Sequence, residues 1–371
     1  MAKIMICLIS EQRMQNIIPL YQRGASFKEV YLVRSKDADE PNSRFATAWK
    51  NTQDVLQQNF MIQSVEPAVD AYGIAETQKA IADLLADLLK RAERDQIVVN
   101  FTGGTKCMSI GAYIAARDAG VIALYVDTAN EKLVWFYPDD SVQQEEFDCS
   151  VTVDVYLRAY GKQLDEDRTR KHALPDCAYQ AAQELVKLWP RCRETLEAFG
   201  KAISEGKDRV DTNEVDDNVA GILEHCKFIQ RKQNGWETTQ PGKPFLTGAW
   251  LEAMVYVLLR DSKNFDDVQI RWCIKGVENE LDVLLTRNGQ MAIIDCRSGD
   301  LGGQTTLNRL QALRSVFGTF ARAFFVTSRD KNDVDENFRQ RAKEYGVREI
   351  VTAESLLDIA KIIQEKMRGV P

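Results

Sequence analysis

Three acidic runs lie close together in the last third of the 371-residue chain: Gly248-Ala-Trp-Leu-Glu252, Asn279-Glu-Leu-Asp282 and Ile293-Ile-Asp295-Cys-Arg297-Ser-Gly299. In a strand, side chains two residues apart share a face, so Asp295 and Arg297 project together while Ile294 and Cys296 turn away. Asp282, on the strand before, can stand beside them. Carboxylates gathered on an apolar strand surface repel one another and resist ionisation unless a cation neutralises them, which a hard divalent ion with oxygen ligands does. Such an ion beside a fixed positive side chain is what metal-assisted hydrolysis of a phosphodiester requires. Each strand taken alone reads more readily as solvent-facing, with Glu280 and Asp282 exposed and Asp295–Arg297 a surface ion pair. What singles them out is their succession within about fifteen residues, behind a helix that carries Glu252.

The second candidate is a turn. Val98-Val-Asn-Phe-Thr102-Gly-Gly-Thr-Lys106-Cys-Met108 passes from an apolar strand through two glycines into a helix. Glycines let successive N–H groups face one side, the helix N-terminus adds partial positive charge, and Thr102, Thr105 and Lys106 add hydroxyls and an ammonium. The result is a seat for an anion. Its spacing fits neither G-x-G-x-x-G nor the P-loop, which argues against a nicotinamide dinucleotide or ATP hydrolysis. The plainer alternative is a strand-to-helix bend in which glycine eases the turn and Thr105 caps the helix.

The elements that must position these groups differ along the chain. In the first 150 residues, strand-like runs (Lys3–Ile9, Glu29–Val33, Phe60–Val65, Gln96–Phe101, Val121–Val126) alternate with helical stretches (Gly73–Arg94, Lys106–Ala119), and Glu131–Tyr137 with Gln144–Val153 reads as a hairpin edge. That alternation predicts a Rossmann-like α/β domain, a parallel sheet with helices on both faces. Ligands of such sheets bind beyond the C-terminal strand ends, where Ser10, Glu11, Asp127 and Thr128 would join the glycine turn. Residues 154–240 read as a helical spacer, possible kin of a winged helix, with Glu205–Asp217 a charged loop and Lys232–Pro244 a boundary. From residue 241 a helix (Phe245–Leu259), three strands (Val268–Ile274, Asn279–Thr286, Gln290–Arg297), a helix (Thr305–Val316), a strand (Arg322–Thr327) and two helical stretches make a second α/β domain. The expected domains are thus 1–153, 154–240 and 241–371.

Composition narrows the classes. Hydrophobic residues at 44%, charged at 28%, and only 9 Pro and 21 Gly exclude disorder, collagen and coiled coil. No apolar run reaches membrane length, and Ile4–Ile9, followed by Ser10-Glu-Gln-Arg13, reads as a buried strand and not a signal peptide. Eight cysteines without a C-x-x-C pair, and two histidines (172 and 225), make a zinc site or a disulfide scaffold improbable. The expectation is a cytoplasmic protein with reduced thiols. The net charge of −7 is uneven: residues 243–371 hold 19 Lys+Arg and 18 Asp+Glu, leaving 29 against 37 for residues 1–242. Any nucleic acid must therefore be held by a local groove or by metal ions.

The run Asn100-Phe-Thr-Gly-Gly-Thr-Lys106-Cys-Met108, with Ser10-Glu11 ending the first strand, resembles the signature of CRISPR-associated Rossmann-fold (CARF) sensor domains over about 150 residues. The three acidic runs resemble the PD-(D/E)xK restriction-endonuclease fold, in the form found in type III CRISPR ancillary nucleases that join one CARF domain to one such nuclease. The resemblance implies that Ser10, Glu11, Thr102, Gly103, Gly104, Thr105 and Lys106 bind a cyclic oligoadenylate, cyclic tetra-adenylate by preference. It implies that Asp282 and Asp295 hold Mn²⁺ or Mg²⁺ with Glu252 as a further acid, that Arg297 steadies phosphate charge, and that the substrate is single-stranded RNA or DNA. A cyclic tetranucleotide has near two-fold symmetry, so two copies of one loop would hold it, and a homodimer is expected. Asp295-x-Arg297 departs from the usual Glu-x-Lys. An arginine stays protonated at neutral pH and fills different space, which keeps a second reading open: a ligand-controlled nucleic-acid-binding regulator with a vestigial nuclease domain.

Overall fold

The apolar runs of the first 150 residues become the strands of one sheet. In a computed structural model describing residues 3–41, 43–278, 280–318 and 320–368, the chain divides into two units, one reaching to Gln163, the other made of Leu164–Thr286 and Gln290–Met367. The first contains β1 (Lys3–Leu8), α1 (Met14–Ile17), β2 (Phe27–Val33), α2 (Arg44–Leu56), β3 (Met61–Ser64), α3 (Ile74–Leu88), β4 (Ile97–Asn100), α4 (Lys106–Ala119), β5 (Ile122–Asp127), β6 (Lys132–Phe136), β7 (Val142–Glu146) and α5 (Val153–Ala159). The sheet order is β3-β2-β1-β4-β5-β6-β7. The first five strands are parallel and the last two add antiparallel.

Ile4, Ile6, Leu8, Ile97 and Val99 pack against Ile81, Leu85 and Leu88 of α3 and Met108, Ala112 and Ala115 of α4. The intervening Met5, Cys7, Val30, Leu32 and Val98 are equally buried on the opposite face. Burial on both faces is why these strands read as unbroken apolar runs. Strand order reverses direction between β1 and β4, the point where such sheets open a crevice. Arg44–Leu56, for which the sequence pattern offers no element, forms a helix whose N-cap Ser43 accepts from the Ala46 N–H at 2.9 Å.

The second unit begins with α6 (Glu166–His172), α7 (Asp176–Lys187), α8 (Cys192–Ser204), β8 (Arg209–Asp211), α9 (Asp217–His225), β9 (Ile229–Lys232), β10 (Gly235–Thr238) and the single turn α10 (Gly242–Pro244). It continues with α11 (Trp250–Asp261), β11 (Asp267–Trp272), β12 (Leu281–Arg287), β13 (Gln290–Arg297), α12 (Gly303–Val316), β14 (Arg322–Thr327), α13 (Glu336–Glu344), β15 (Val347–Val351) and α14 (Ile359–Met367). Two segments correct the sequence reading. The charged stretch Glu205–Asp217, expected to be a loop, supplies β8, and the expected boundary Lys232–Pro244 supplies β10, in a small antiparallel sheet β8-β10-β9. These strands are three or four residues long, too short to display an alternation; β8 and β9 are largely exposed and β10, between them, is mostly buried. β15, expected as helix, is a partly exposed strand with Arg348 and Glu349 in it, closing a five-stranded sheet β11-β12-β13-β14-β15.

The middle helices and the C-terminal sheet share one core in which Leu185, Leu196, Phe199, Leu223, Trp250, Ile294, Val326 and Leu356 are fully or almost fully buried. Polar contacts reinforce it: Trp189 Nε1 donates to the Ala353 carbonyl at 2.9 Å, and Arg193 pairs with Asp330 at 2.7 Å. The expectation of uniformly reduced cysteines is overturned by a disulfide between Cys177 and Cys226. They lie 49 residues apart, and it is the packing of α7 beside α9 that brings them together, which spacing alone does not reveal. Six cysteines are free. Among the described residues no helix is long and apolar enough to cross a membrane.

Candidate functional site

β12 and β13 carry the acids. Asp282 and Asp295 are 8% and 2% exposed. As strand parity requires, Arg297 shares a face with Asp295, and its Nε donates to Asp295 Oδ1 at 2.9 Å. Ile294 and Cys296 turn into the core instead. The Cys296 N–H donates to Asp282 Oδ2 at 2.7 Å, which ties the two strands together at the site. A fourth group, absent from the sequence reading, completes the cluster: the Arg309 guanidinium on α12 lies 3.2 Å from Asp295 Oδ2 and 3.9 Å from Asp282 Oδ1. Thr306, Leu310 and Leu313 are buried and Arg309 is half-buried among them. A charge at the helical spacing of an inward stripe was the available signal.

Glu252, in the first turn of α11, belongs to a chain of ion pairs. Its Oε2 accepts from Arg271 Nη1 at 2.9 Å, Arg271 Nη2 donates to Glu280 Oε1 at 2.8 Å, and His172 Nδ1 lies 2.9 Å from Glu280 Oε2. Glu280 is thus half-buried and paired, not a free solvent-facing residue. Arg271 occupies the left-handed region (φ 53°), unusual for a residue with a side chain. Asn279, which opens the Asn-Glu-Leu-Asp run, lies outside the described residues.

The acids feel one another. Burial pushes the Glu252 carboxyl up to about 7, and the charges of Glu280 and Asp295 add to the effect; the ion pair with Arg271 offsets only part of it. Asp282 is pushed well above the usual carboxylate range, first by burial and then by Asp295 and Glu252. For Arg297, burial works against the charge, but Asp295 outweighs it and holds the guanidinium above its ordinary value. This residue cannot act as a base.

Buried carboxylates that raise one another's proton affinity are hard oxygen donors of the kind Mg²⁺ and Mn²⁺ prefer. Asp295 Oδ2 is buried and makes no hydrogen bond of good geometry, with the Arg309 charge facing it. In kind, the donors suit a divalent ion. Among the described residues no group of three His, Cys, Asp or Glu side chains encloses a metal position as it stands. Arginines occupy the carboxylate oxygens instead.

The glycine turn of the first unit is built from backbone. A Cβ on Gly103 would fall 2.1 Å from the Leu8 carbonyl oxygen, so the turn lies directly against the end of β1, two residues before Ser10. Gly104 has a φ of +72°. The Thr102 hydroxyl donates to Asn100 Oδ1 and accepts from the Val126 N–H, both at 2.7 Å. That of Thr105 accepts from the Met108 N–H at 3.2 Å, capping α4, and donates to the Ala71 carbonyl. Both hydroxyls therefore hold the turn in shape. The Ser10 hydroxyl donates to the Gln12 carbonyl at 3.3 Å, Glu11 pairs with Arg44 at 2.9 Å, and Lys106 is exposed at the start of α4. Asn100, which opens the signature run but had no role assigned from sequence, and Asn16, absent from that reading, brace the crevice floor: Asn100 Nδ2 donates to the Gln15 carbonyl and to Asn16 Oδ1, and Asn16 Nδ2 to the Leu8 carbonyl.

A parallel sheet with a glycine turn at its switch point, and an α/β unit with buried acids on adjacent strands, define a nuclease governed by a sensor domain. Residues 4–156 match the family model of the Card1 CARF domain and residues 240–370 that of the Card1-like endonuclease domain. The chain belongs to this Card1-like family, a CARF domain joined to an endonuclease domain. Among solved structures it is similar to protein VC1899 from Vibrio cholerae, with a TM-score of 0.72 and 19% identity over 99% of both chains. It is similar also to Can2 from Sulfobacillus thermosulfidooxidans, solved in complex with cyclic tetra-adenylate, with a TM-score of 0.71 and 18% identity over 99% of this chain and 97% of that one. A third, a type III CRISPR defence DNA nuclease activated by cyclic oligoadenylate, gives a TM-score of 0.59 and 19% identity over 89% of this chain and 46% of that one. At such identities the likeness is one of fold. No curated protein matches the chain in sequence.

Proposed function

We propose that the chain is a metal-dependent endonuclease, switched on allosterically by a cyclic oligoadenylate such as cyclic tetra-adenylate, that cleaves single-stranded RNA or DNA in the cytoplasm as part of type III CRISPR antiviral defence. One observation carries the reading: two buried carboxylates on adjacent strands, Asp282 and Asp295, face one guanidinium, and burial, with the charges of Asp295 and Glu252, pushes up the proton affinity of Asp282. Asp282 and Asp295 would hold Mn²⁺ or Mg²⁺, with Glu252 as the flanking acid, in a PD-(D/E)xK site that has Asp295-x-Arg297 in place of acid-x-lysine. The ion, when bound, supplies Lewis-acid charge for attack on the phosphodiester. Arg297 stays protonated throughout and steadies negative charge on the phosphate. In the metal-free protein, burial holds the Glu252 carboxyl up at about 7, against the pull of Arg271.

On the sensor side, the backbone N–H groups of Gly103, Gly104 and Thr105, with Ser10 and Lys106, would receive a phosphate of the ring, while Thr102 keeps the turn's shape and Arg44 offsets Glu11. Two copies about a two-fold axis complete the seat, so the sensor 1–153 would form a homodimer, with 154–240 as spacer and 241–371 as nuclease. The second reading, a ligand-controlled binding regulator, is favoured by the arginines seated on the acids; the acidic balance of residues 1–242 disfavours it. Purified protein with Mn²⁺, labelled single strands and cyclic tetra-adenylate separates the two. Cleavage that needs both additions and stops with chelator is expected; ligand-dependent strand binding without cleavage would establish the regulator.

A further inference from the structure

Two carboxylates buried side by side do not both stay ionised without a cation beside them. In the second unit the cation nearest both is Arg309, 3.2 Å from Asp295 and 3.9 Å from Asp282. Its attachment differs from that of Arg297. Arg297 is fixed to Asp295 by an Nε–H bond of 2.9 Å from the same strand, whereas Arg309 Nε is buried without a hydrogen-bond partner, so that Arg309 is held at the acids mainly by charge. Its side chain is 27% exposed, which leaves it a way out toward solvent.

We propose that the Arg309 guanidinium is a stand-in for the divalent ion: it neutralises Asp282 and Asp295 in the metal-free protein, yields them when metal binds, and then serves the substrate phosphate. The inference rests on the reading of this site as a metal-dependent nuclease. The Arg309 guanidinium already faces Asp295 Oδ2, the carboxylate oxygen that Arg297 leaves open, so an ion bound at that oxygen competes with it and repels it. Once displaced, a planar guanidinium at the mouth of the site is suited to a phosphate oxygen pair. Removal of the Arg309 charge therefore has effects of opposite sign, tighter metal and slower cleavage. An arginine with a merely structural role would weaken both.

The test is Mn²⁺ titration calorimetry on the full chain without nucleic acid, for wild type, Arg309→Gln and Arg309→Lys. Arg309→Gln should bind Mn²⁺ about tenfold more tightly, with Arg309→Lys in between, while cleavage at saturating Mn²⁺ falls about a hundredfold in Arg309→Gln. Unchanged or weaker Mn²⁺ affinity in Arg309→Gln overturns the stand-in role and leaves the nuclease reading intact. Absence of Mn²⁺ binding in all three proteins overturns both. Should glutamine at 309 prevent folding, as circular dichroism reports, the wild-type protein decides alone. Its Arg309 Nε–H resonance in ¹⁵N-arginine-labelled protein, assigned by its loss in Arg309→Lys, should shift on addition of Mg²⁺; an unmoved resonance overturns the proposal.

Discussion

The acidic site and the glycine turn solve their problems with different parts of the polypeptide. At the acidic site the backbone, apart from the left-handed Arg271, is strand and helix, and the site depends on side-chain identity: Asp282, Asp295, Glu252 and three arginines paired with them in a buried setting. At the turn the threonine hydroxyls are occupied within the protein, that of Thr102 with the Asn100 side chain and the Val126 N–H, that of Thr105 with the Met108 N–H and the Ala71 carbonyl. What is left to meet a ligand is the shape of the main chain. A site of the first kind fails when a charge changes. One of the second kind fails when an atom is added where none fits.

The sharpest break is Asp295→Asn, which keeps volume and removes the charge that Arg297 and Arg309 both face. Cleavage should fall by at least about a thousandfold, the loss expected when a site is deprived of a group its chemistry needs. Affinity for cyclic tetra-adenylate, measured by calorimetry, should stay within experimental error of wild type. Equal cleavage by the two proteins would remove the acidic site from the mechanism.

The complementary break is Gly103→Ala. The added methyl carbon would sit 2.1 Å from the Leu8 carbonyl oxygen, an overlap with backbone that only movement of the turn away from β1 can relieve. Affinity for cyclic tetra-adenylate should drop about a hundredfold, equivalent to roughly 3 kcal/mol, while Mn²⁺ binding by the second unit is untouched. Undiminished ligand affinity would show that the turn does not form the seat.

The same contrast explains what the sequence made legible. The turn was readable because a strand, two glycines and a capping threonine leave few backbone alternatives, and the parallel sheet because apolar strand runs alternate with helices; the strand order β3-β2-β1-β4-β5 came only with the structure. Asp282, Asp295 and Arg297 were readable because strand parity assigns faces without a structure. Arg309 showed in the sequence only as a charge on the inward stripe of α12; its pairing with Asp282 and Asp295, and that of Arg271 with Glu252 and Glu280, came through tertiary packing. The Cys177–Cys226 bond was hidden for the same reason, and the small sheet β8-β10-β9 because its strands are too short to show a period. β15 was hidden because a half-buried strand with charged residues has the composition of a helix.

Proton linkage sharpens the electrostatic half of the comparison. In the folded protein the Glu252 carboxyl is raised from 4.5 to about 7, mainly by burial, with Glu280 and Asp295 adding to it against Arg271. Between those values the unfolded chain has lost this proton while the folded chain keeps it, so stability is full below pH 4.5 and declines as pH rises through about 7. The decline is on the order of 3 kcal/mol. Chemical denaturation in the presence of chelator, from pH 4.5 to 8, should therefore show a shallower loss for Glu252→Gln than for wild type. Parallel curves would mean that the carboxyl is not strained by its burial.

Thr105→Val is the mildest change and the one that most directly tests whether the turn acts through backbone. Valine keeps the shape but can neither accept from the Met108 N–H nor donate to the Ala71 carbonyl. The lost cap should cost about 1 kcal/mol of stability, visible as a lower denaturation midpoint of the first unit. Because the hydroxyl is already turned into the protein, affinity for cyclic tetra-adenylate should change by no more than about threefold, which is under 1 kcal/mol. A large loss of affinity with stability unchanged would reverse the assignment: the hydroxyl would then face the ligand, and the turn would depend on its side chains as the acidic site does.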